Sequence, residues 1–521
     1  MKKTFSYYLL LTGQLLFVLL FSCLSVQIIF VSYLNAKNTS LAVRAFAYII
    51  LLSCFLGSVI FFSRKVKGLA KRSRLLVMGI CLLWFFIQGL YIYSTYSLTG
   101  SDTYPVNWLA WNIAHDIESE MFYWYYFARY QNNIPLLAIC SGFYSLVKGL
   151  FEFEDSWLIL TIIAALLANL AIFWTVKLSY IICPKKNIFF PLICAILLIG
   201  LSEEGTIFYT DITTLWVIPC SMYLCVLAFD MDKNPKRNSI FAGMVLGIGG
   251  ALKPQVLIVA VAILIVRGLT FIHCLCNKQK IQLRCFLHLF IALLVSYCFL
   301  SQASTAWYVS VLPEQYNGKT WMDQEKYPVL HWVNMGLNAS SYGAYSVDDV
   351  VFTANISGIE AKNEALLESI QKRLQPLSVK ELFLYENQKV CYALQNGSFS
   401  QGMVWKGTLL NNSSLAIKLQ PYFVSIYPQW TAGIGLLVQI VYLFLLVLCL
   451  LAVCAYLLSR TWFEQKTVQT MAISLIGAVC FIVLLEQNMR YFYTMVPVLI
   501  SLSSKAVELI GMKGLSEKNG V

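Results

Sequence analysis

Apolar runs recur along this sequence, many of them close to the twenty or so residues a helix needs to cross a bilayer core of about 30 Å. They fall at 8–33, 45–62, 75–96, 156–180, 187–202, 213–230, 239–251, 254–271, 285–304, 431–458, 467–485 and 492–509. Backbone in lipid must satisfy its own hydrogen bonds, so such runs are expected to fold as helices. Composition agrees, since 59% of the 521 residues are hydrophobic and 12% charged, against about 45–50% and about 25% in soluble proteins. The expected fold class is an all-α polytopic membrane protein. A net charge of +12 does not point to nucleic acid, because the basic residues sit in short clusters between apolar runs. A disulfide scaffold is excluded too, since most of the 16 cysteines lie inside those runs, where thiols act as small hydrophobes. Cys274, Cys276 and Cys285, with His273 and His288 nearby, match no standard zinc spacing. The run 8–33 is too long for a signal-peptide core and has no small-residue cleavage site, so it reads as the first span.

One further apolar stretch, 134–150, is brief and contains Pro135 and Lys148. The basic clusters decide its role. Arg64 to Arg74, Lys185 with Lys186, Lys233 to Arg237, Lys278 to Arg284, Arg460 with Lys466, and Lys513 with Lys518 all fall on one side if 134–150 lies on the membrane. If it crossed, every later cluster would move outside. The positive-inside rule therefore makes 134–150 an exoplasmic interfacial helix, with about twelve spans and both termini cytoplasmic in a multi-pass cell-membrane protein. Three regions follow: a transmembrane module over 1–304 with an exoplasmic loop at 97–133, a small exoplasmic segment over 305–430, and C-terminal transmembrane helices over 431–521. Within 305–430, residues 359–377 read as one amphipathic helix and the rest as loop. No internal repeat of the kind found in two-halved transporters is visible.

Several charged residues are expected at the outer headgroup level. Asp102 follows the third span and is either a solvated loop residue or part of a site. Asp211 is either the N-cap of the next span or a site residue. Lys253, between Leu252 and Pro254, needs water or an anion to be tolerated beside lipid. Glu486 and Arg490 are one helical turn apart and can pair with each other, or Arg490 can offer its planar fork to a phosphate. Two carboxylates, a lysine and an arginine beside lipid suit chemistry on a lipid-linked phosphate. A carboxylate can take the proton of an acceptor hydroxyl, and the cations can hold the phosphate as charge develops on it.

An acid in the first large loop, followed by an aromatic stretch and Arg129-Tyr130-Gln131-Asn132-Asn133-Ile134-Pro135, resembles bacterial membrane glycosyltransferases of the GT-C superfold. Tyr209-Thr210-Asp211, Leu252-Lys253-Pro254 and Glu486 through Arg490-Tyr491 ahead of Pro497 extend the resemblance, which looks like the protein mannosyltransferase branch. His331-Trp332, with Met335 to Asn338 and Tyr345 to Asp349, resembles the exoplasmic loop of a Gram-positive subgroup. The resemblance covers most of residues 90–510; Gln131 stands where relatives usually carry proline. It implies a GT-C-like fold with an amphipathic helix after span three and a small exoplasmic domain. It also implies an inverting hexosyltransferase that takes sugar from a polyprenyl-phosphate donor to a cell-envelope acceptor, whether teichoic acid, polysaccharide or protein. Asp102 then matches the catalytic base, better than Asp116, and Asp211, Lys253, Glu486, Arg490, Arg129, Asn132 and His331 are the implied substrate-binding residues. Many members need a divalent metal such as Mg or Mn, but no ligand cluster here specifies one. The competing class is a lipid-linked sugar flippase, which predicts acids or bases in mid-span, where these spans have almost none. A binding module on a membrane anchor is a third class, but about twelve spans exceed what an anchor needs.

Overall fold

The computed structural model describes residues 70–98, 102–183, 188–276, 280–397, 399, 410–411, 413–423, 433–458 and 465–516. The expected spans at 8–33 and 45–62 lie outside the described residues, as do the side chains of His273, Cys274 and Cys276. Among the described residues the fold is helical, without a β-strand. Among the described residues, five segments are long and apolar enough to cross a membrane: Leu76–Thr95, Phe153–Ile182, Thr210–Asp230, Leu283–Val311 and Lys466–Leu484. Shorter apolar helices occupy Phe189–Gly200, Val256–Leu269 and Leu437–Ala452.

Helix α1 (Ala70–Thr95) ends where the Ser94 and Thr95 hydroxyls turn back onto the Leu90 and Tyr91 carbonyls. The expected loop 97–133 instead holds two helices, α2 (Thr103–His115) and α3 (Met121–Arg129). Its aromatics hid them, because rings that look interfacial in sequence are packed into one another here, as Trp111 is against Tyr144 and Tyr126 against Phe127. Helix α4 (Ile134–Val147) starts with proline in its first turn, where no amide hydrogen is missed. Its 14 residues rise about 21 Å, short of the ~30 Å core. It lies against α2, with Leu136, Leu137 and Tyr144 buried and the Tyr144 hydroxyl donating to Asn107 Oδ1 at 2.9 Å. Ile139, Leu146 and Leu150 form an exposed apolar surface beside it.

Helix α5 (Phe153–Ile182) begins beside the end of α1, where the Tyr96 hydroxyl donates to the Glu154 carbonyl. Helices α2 to α4 therefore sit together at one end of the bundle. Next come α6 (Phe189–Ala195, running into a wider turn to Gly200), α7 (Thr210–Leu215) and α8 (Val217–Cys225, continuing to Asp230). Helices α9 (Pro235–Leu252) and α10 (Val256–Cys276) flank the Lys253-Pro254 hinge, and α11 (Lys280–Val311) packs on α9. Gly243 and Gly247 make that packing close, since a side chain at either would collide with the α11 backbone at Leu289 or Leu293.

Residues 305–430 contain more helix than the single amphipathic one expected. Helices α12 (Gly318–Glu325), α13 (Val329–Gly336), α14 (Val347–Ala354), α15 (Ile359–Leu374), α16 (Val379–Leu394) and α17 (Ser414–Phe423) make up most of it. Eight-residue helices are too short to display periodicity, and tertiary contacts hold them. The buried Lys362 ammonium donates to the Gln324 and Glu325 carbonyls at the end of α12, at 2.7 and 2.9 Å. Asp349 accepts from Arg373 at 2.5 Å, Asn338 at 2.7 Å and Asn334 at 3.1 Å, tying α13, α14 and α15 together.

The chain returns through α18 (Gly433–Leu458), α19 (Lys466–Leu484), α20 (Arg490–Tyr493) and α21 (Val496–Ser516). Lys389 of α16 donates to the Val483 carbonyl at the end of α19 at 2.8 Å, and the Gln487 amide to the Gly343 carbonyl at 2.7 Å. The spans are not as free of ionisable residues as their hydropathy suggests. Arg267 donates to both oxygens of Asp230 at 2.6 and 2.8 Å, with Thr467 on the same carboxylate at 3.0 Å, and Lys505 pairs with Glu508 at 3.0 Å. One charge in a long apolar window barely lowers its mean hydropathy, which is why these pairs escape a sequence reading.

Candidate active site

Loops and helix ends at the end of the bundle that carries α2 to α4 converge on a cavity of ≈ 1170 Å³. Asp102 comes from the residue before α2, Asp211 from the first turn of α7, and Lys253 from the hinge between α9 and α10. Glu486 follows α19 and Arg490 opens α20. All five line the cavity, together with Arg129 and Asn132.

The charges form pairs that their sequence spacing does not reveal. Arg490 does not pair with its neighbour Glu486; its Nη2 donates to Asp102 Oδ2 at 2.5 Å. Asp211 makes no cap bond, and its carboxylate is in a buried ion pair with Lys253. Asp102 keeps about a third of its side-chain surface open (34%), whereas Arg490 keeps 10%. The other Asp102 oxygen, Oδ1, accepts from the Tyr126 hydroxyl at 3.0 Å. Tyr126 in turn accepts from Asn133 Nδ2 at 2.8 Å, and Asn133 Oδ1 accepts from the Tyr209 hydroxyl at 3.1 Å. The Arg490 guanidinium lies 5.3 Å from the centre of the Tyr209 ring. Arg490 Nε and Nη1, and Asp211 Oδ2, are buried with no hydrogen-bond partner among the described residues. Spare donors on a guanidinium that lines a cavity are suited to a phosphate or carboxylate.

Two acids add to this field. Burial pushes the Glu486 carboxyl up to about 7, with Arg490 opposing and Asp102 adding to the shift. Glu204 lies behind the wall, and burial helped by Asp211 pushes it up to about 8. Elsewhere in the cavity lining, the Arg129 guanidinium lies 5.1 Å from the Tyr125 ring and 5.8 Å from that of Tyr327, with Glu325 3.7 Å from its Nε. Asn132 donates to Asn133 Oδ1 at 3.2 Å.

His331 is not brought to the cavity. It is fully buried, its Nδ1 lies 2.8 Å from Thr353 Oγ1, and burial lowers its pKa to about 4, so it stays neutral. Its neighbour Trp332 lines the cavity instead. Asp116 is exposed, away from the cavity, and pairs with Lys148 at 2.9 Å. Sequence reasoning singled out Asn132 but passed over Asn133, and it did not separate Tyr126 from its aromatic run. Asn133 and Tyr209 each stood in a motif that carries the resemblance, whereas Tyr126 had no signal apart from its aromatic run.

The residues present do not fit a divalent metal centre. Arg490 and Lys253 already occupy the two aspartates, and no group of three or more His, Cys, Asp or Glu able to hold an ion occurs among the described residues. The arrangement can bind an anionic group at Arg490 and accept a proton at Asp102.

Residues 2–509 match the model of a family described as conserved hypothetical integral membrane protein. No curated protein and no solved structure matches the chain.

Proposed function

The chain belongs to that family of integral membrane proteins, and we propose that it is an inverting glycosyltransferase of the GT-C type. It would move a sugar from a polyprenyl-phosphate donor to a hydroxyl on an exoplasmic cell-envelope acceptor. The observation that carries this reading is the open carboxylate of Asp102 beside Arg490, a cation with spare donors, in one cavity. The donor phosphate binds the free N–H groups of Arg490, with Lys253 nearby. Asp102 takes the proton of the acceptor hydroxyl as its oxygen bonds to the anomeric carbon. The bond from that carbon to the phosphate oxygen breaks, and its electron pair stays on the phosphate, where the cations stabilise it. A flippase would instead need a polar path through the bundle. The polar cavity lies at one end, and the buried Arg267 has both terminal nitrogens engaged by Asp230.

Turnover of a polyprenyl-phosphate sugar by the purified protein in detergent tests the proposal. Asp102→Asn keeps the shape of the carboxylate but removes its basicity, and should lower turnover by about 100-fold or more. Asp116→Asn, at an exposed site outside the cavity, should stay within about 2-fold. Equal losses would show that the wrong acid was chosen, and a fully active Asp102→Asn protein would end this mechanism.

A further inference from the structure

Among the described residues only two side chains hold the Asp102 carboxylate: Arg490 on Oδ2 and Tyr126 on Oδ1. Asp102 makes no cap bond to the helix it precedes, so among the described residues no other side-chain bond fixes its orientation. The direction of the Tyr126 bond is determined. Its oxygen already accepts a proton from Asn133 Nδ2, so its single hydrogen points at Asp102. Reversing the Asn133 amide would set its NH2 group against the NH2 group of Asn132 and turn the Tyr126 proton away from a carboxylate. The Tyr209 hydroxyl, donating to Asn133 Oδ1, locks the amide the right way round. Tyr126, Asn133 and Tyr209 are largely buried where they line the cavity, which shelters the bonds among them, while the Asp102 end stays part-exposed. Burial and the charge of Asp102 keep the Tyr126 hydroxyl protonated well above its ordinary range.

We propose that Tyr126, aligned by Asn133 and Tyr209, is a positioning residue that holds Asp102 by Oδ1 and leaves Oδ2 as the oxygen that receives the acceptor proton. This rests on the transferase reading above. In the resting structure Arg490 covers Oδ2. When a donor phosphate draws Arg490 away, Tyr126 is the remaining anchor, and it keeps the carboxylate from following the arginine or rotating. The acceptor proton then passes to Oδ2, while the electron pair of the breaking carbon–oxygen bond leaves with the phosphate.

Steady-state turnover of a polyprenyl-phosphate sugar, read as separate kcat and KM, tests the relay. Tyr126→Phe keeps the ring and removes the donor, so kcat should fall about 10-fold with the donor KM within about 2-fold. In an Asp102→Asn background the same change should cost nothing further, because Tyr126 acts only through that carboxylate. Asn133→Asp is the second variant. Its carboxylate accepts the Tyr126 proton and takes it from Asp102, so kcat should fall at least as far in a protein that remains monodisperse. Additive losses from Tyr126→Phe and Asp102→Asn, or a loss confined to KM, would overturn the relay alone. A wild-type protein with no turnover would remove the transferase reading, and the relay with it.

Discussion

Arg490 faces more negative charge than a single salt bridge supplies. Asp102 holds its Nη2, while Glu486 and Glu204 are close enough to shift under its charge. Both glutamates have raised pKa values, about 7 and about 8, so they are neutral at pH 6 and ionised by pH 9. The cavity is therefore more positive at the lower pH, where Glu486 and Glu204 no longer oppose Arg490 and Lys253. A lipid phosphodiester does not change charge over this range, and its binding should weaken about 10-fold from pH 6 to pH 9. Glu486→Gln should remove much of that slope in a direct binding titration. A flat wild-type profile would mean that Glu486 does not share the field of the bound phosphate. Linkage has the same sign for stability. A carboxyl raised in the folded state contributes fully below its unfolded value near 4.3 and loses that contribution as pH rises through 7 and 8. Of the charged residues that line the cavity, Asp102, Asp211, Lys253, Glu486 and Arg490 were legible one by one, as charges expected at the outer headgroup level. Their pairing was not, because Asp102 and Arg490 are 388 residues apart and nothing local links them.

The elements between 305 and 430 show a different limit. Ser378 and Glu381 form a capping box at the start of α16, and that spacing was readable. So was the Gly243/Gly247 pair that lets α9 approach α11. Helices α13 and α14 carry eight residues each and gain their order from Asp349 of α14 itself, from Arg373 and from the end of α19, the last two distant in sequence. Gly336 closes α13 against that helix end, where an added Cβ would press on the Leu485 carbonyl carbon at 2.6 Å and the Glu486 amide at 3.1 Å. Backbone on both sides cannot yield as a flexible side chain can. Gly336→Ala should destabilise the protein by about 1–3 kcal/mol, the usual cost of overpacking, and shift the loop that bears Glu486. Gly142→Ala, in α4 with open space around it, should be neutral or stabilising by about 0.5–1 kcal/mol. Thermal unfolding of the two purified variants separates the cases, and equal melting temperatures would mean that α13 does not bear on α19.

At the scale of the whole molecule, the direction of each helix places the cavity. Helices α1, α9 and α19 run toward it and α7 starts from it, while α2 to α4 stay beside it before α5 turns back. Lys233, Lys236 and Arg237 precede α9 or open it, so they lie at the opposite end of the bundle from Lys253. A basic cluster at one end and an open acid at the other fit a cytoplasmic and an exoplasmic face, in that order. The Lys148–Asp116 pair is exposed and screened by solvent, so replacing Lys148 should leave the fold intact. Single cysteines at Lys148 and Asp155, in a background without other accessible thiols, should react with a membrane-impermeant reagent in intact cells. A cysteine at Lys236 should react only after permeabilisation. The reverse pattern would put the cavity on the cytoplasmic side, where an acceptor outside the membrane could not reach Asp102.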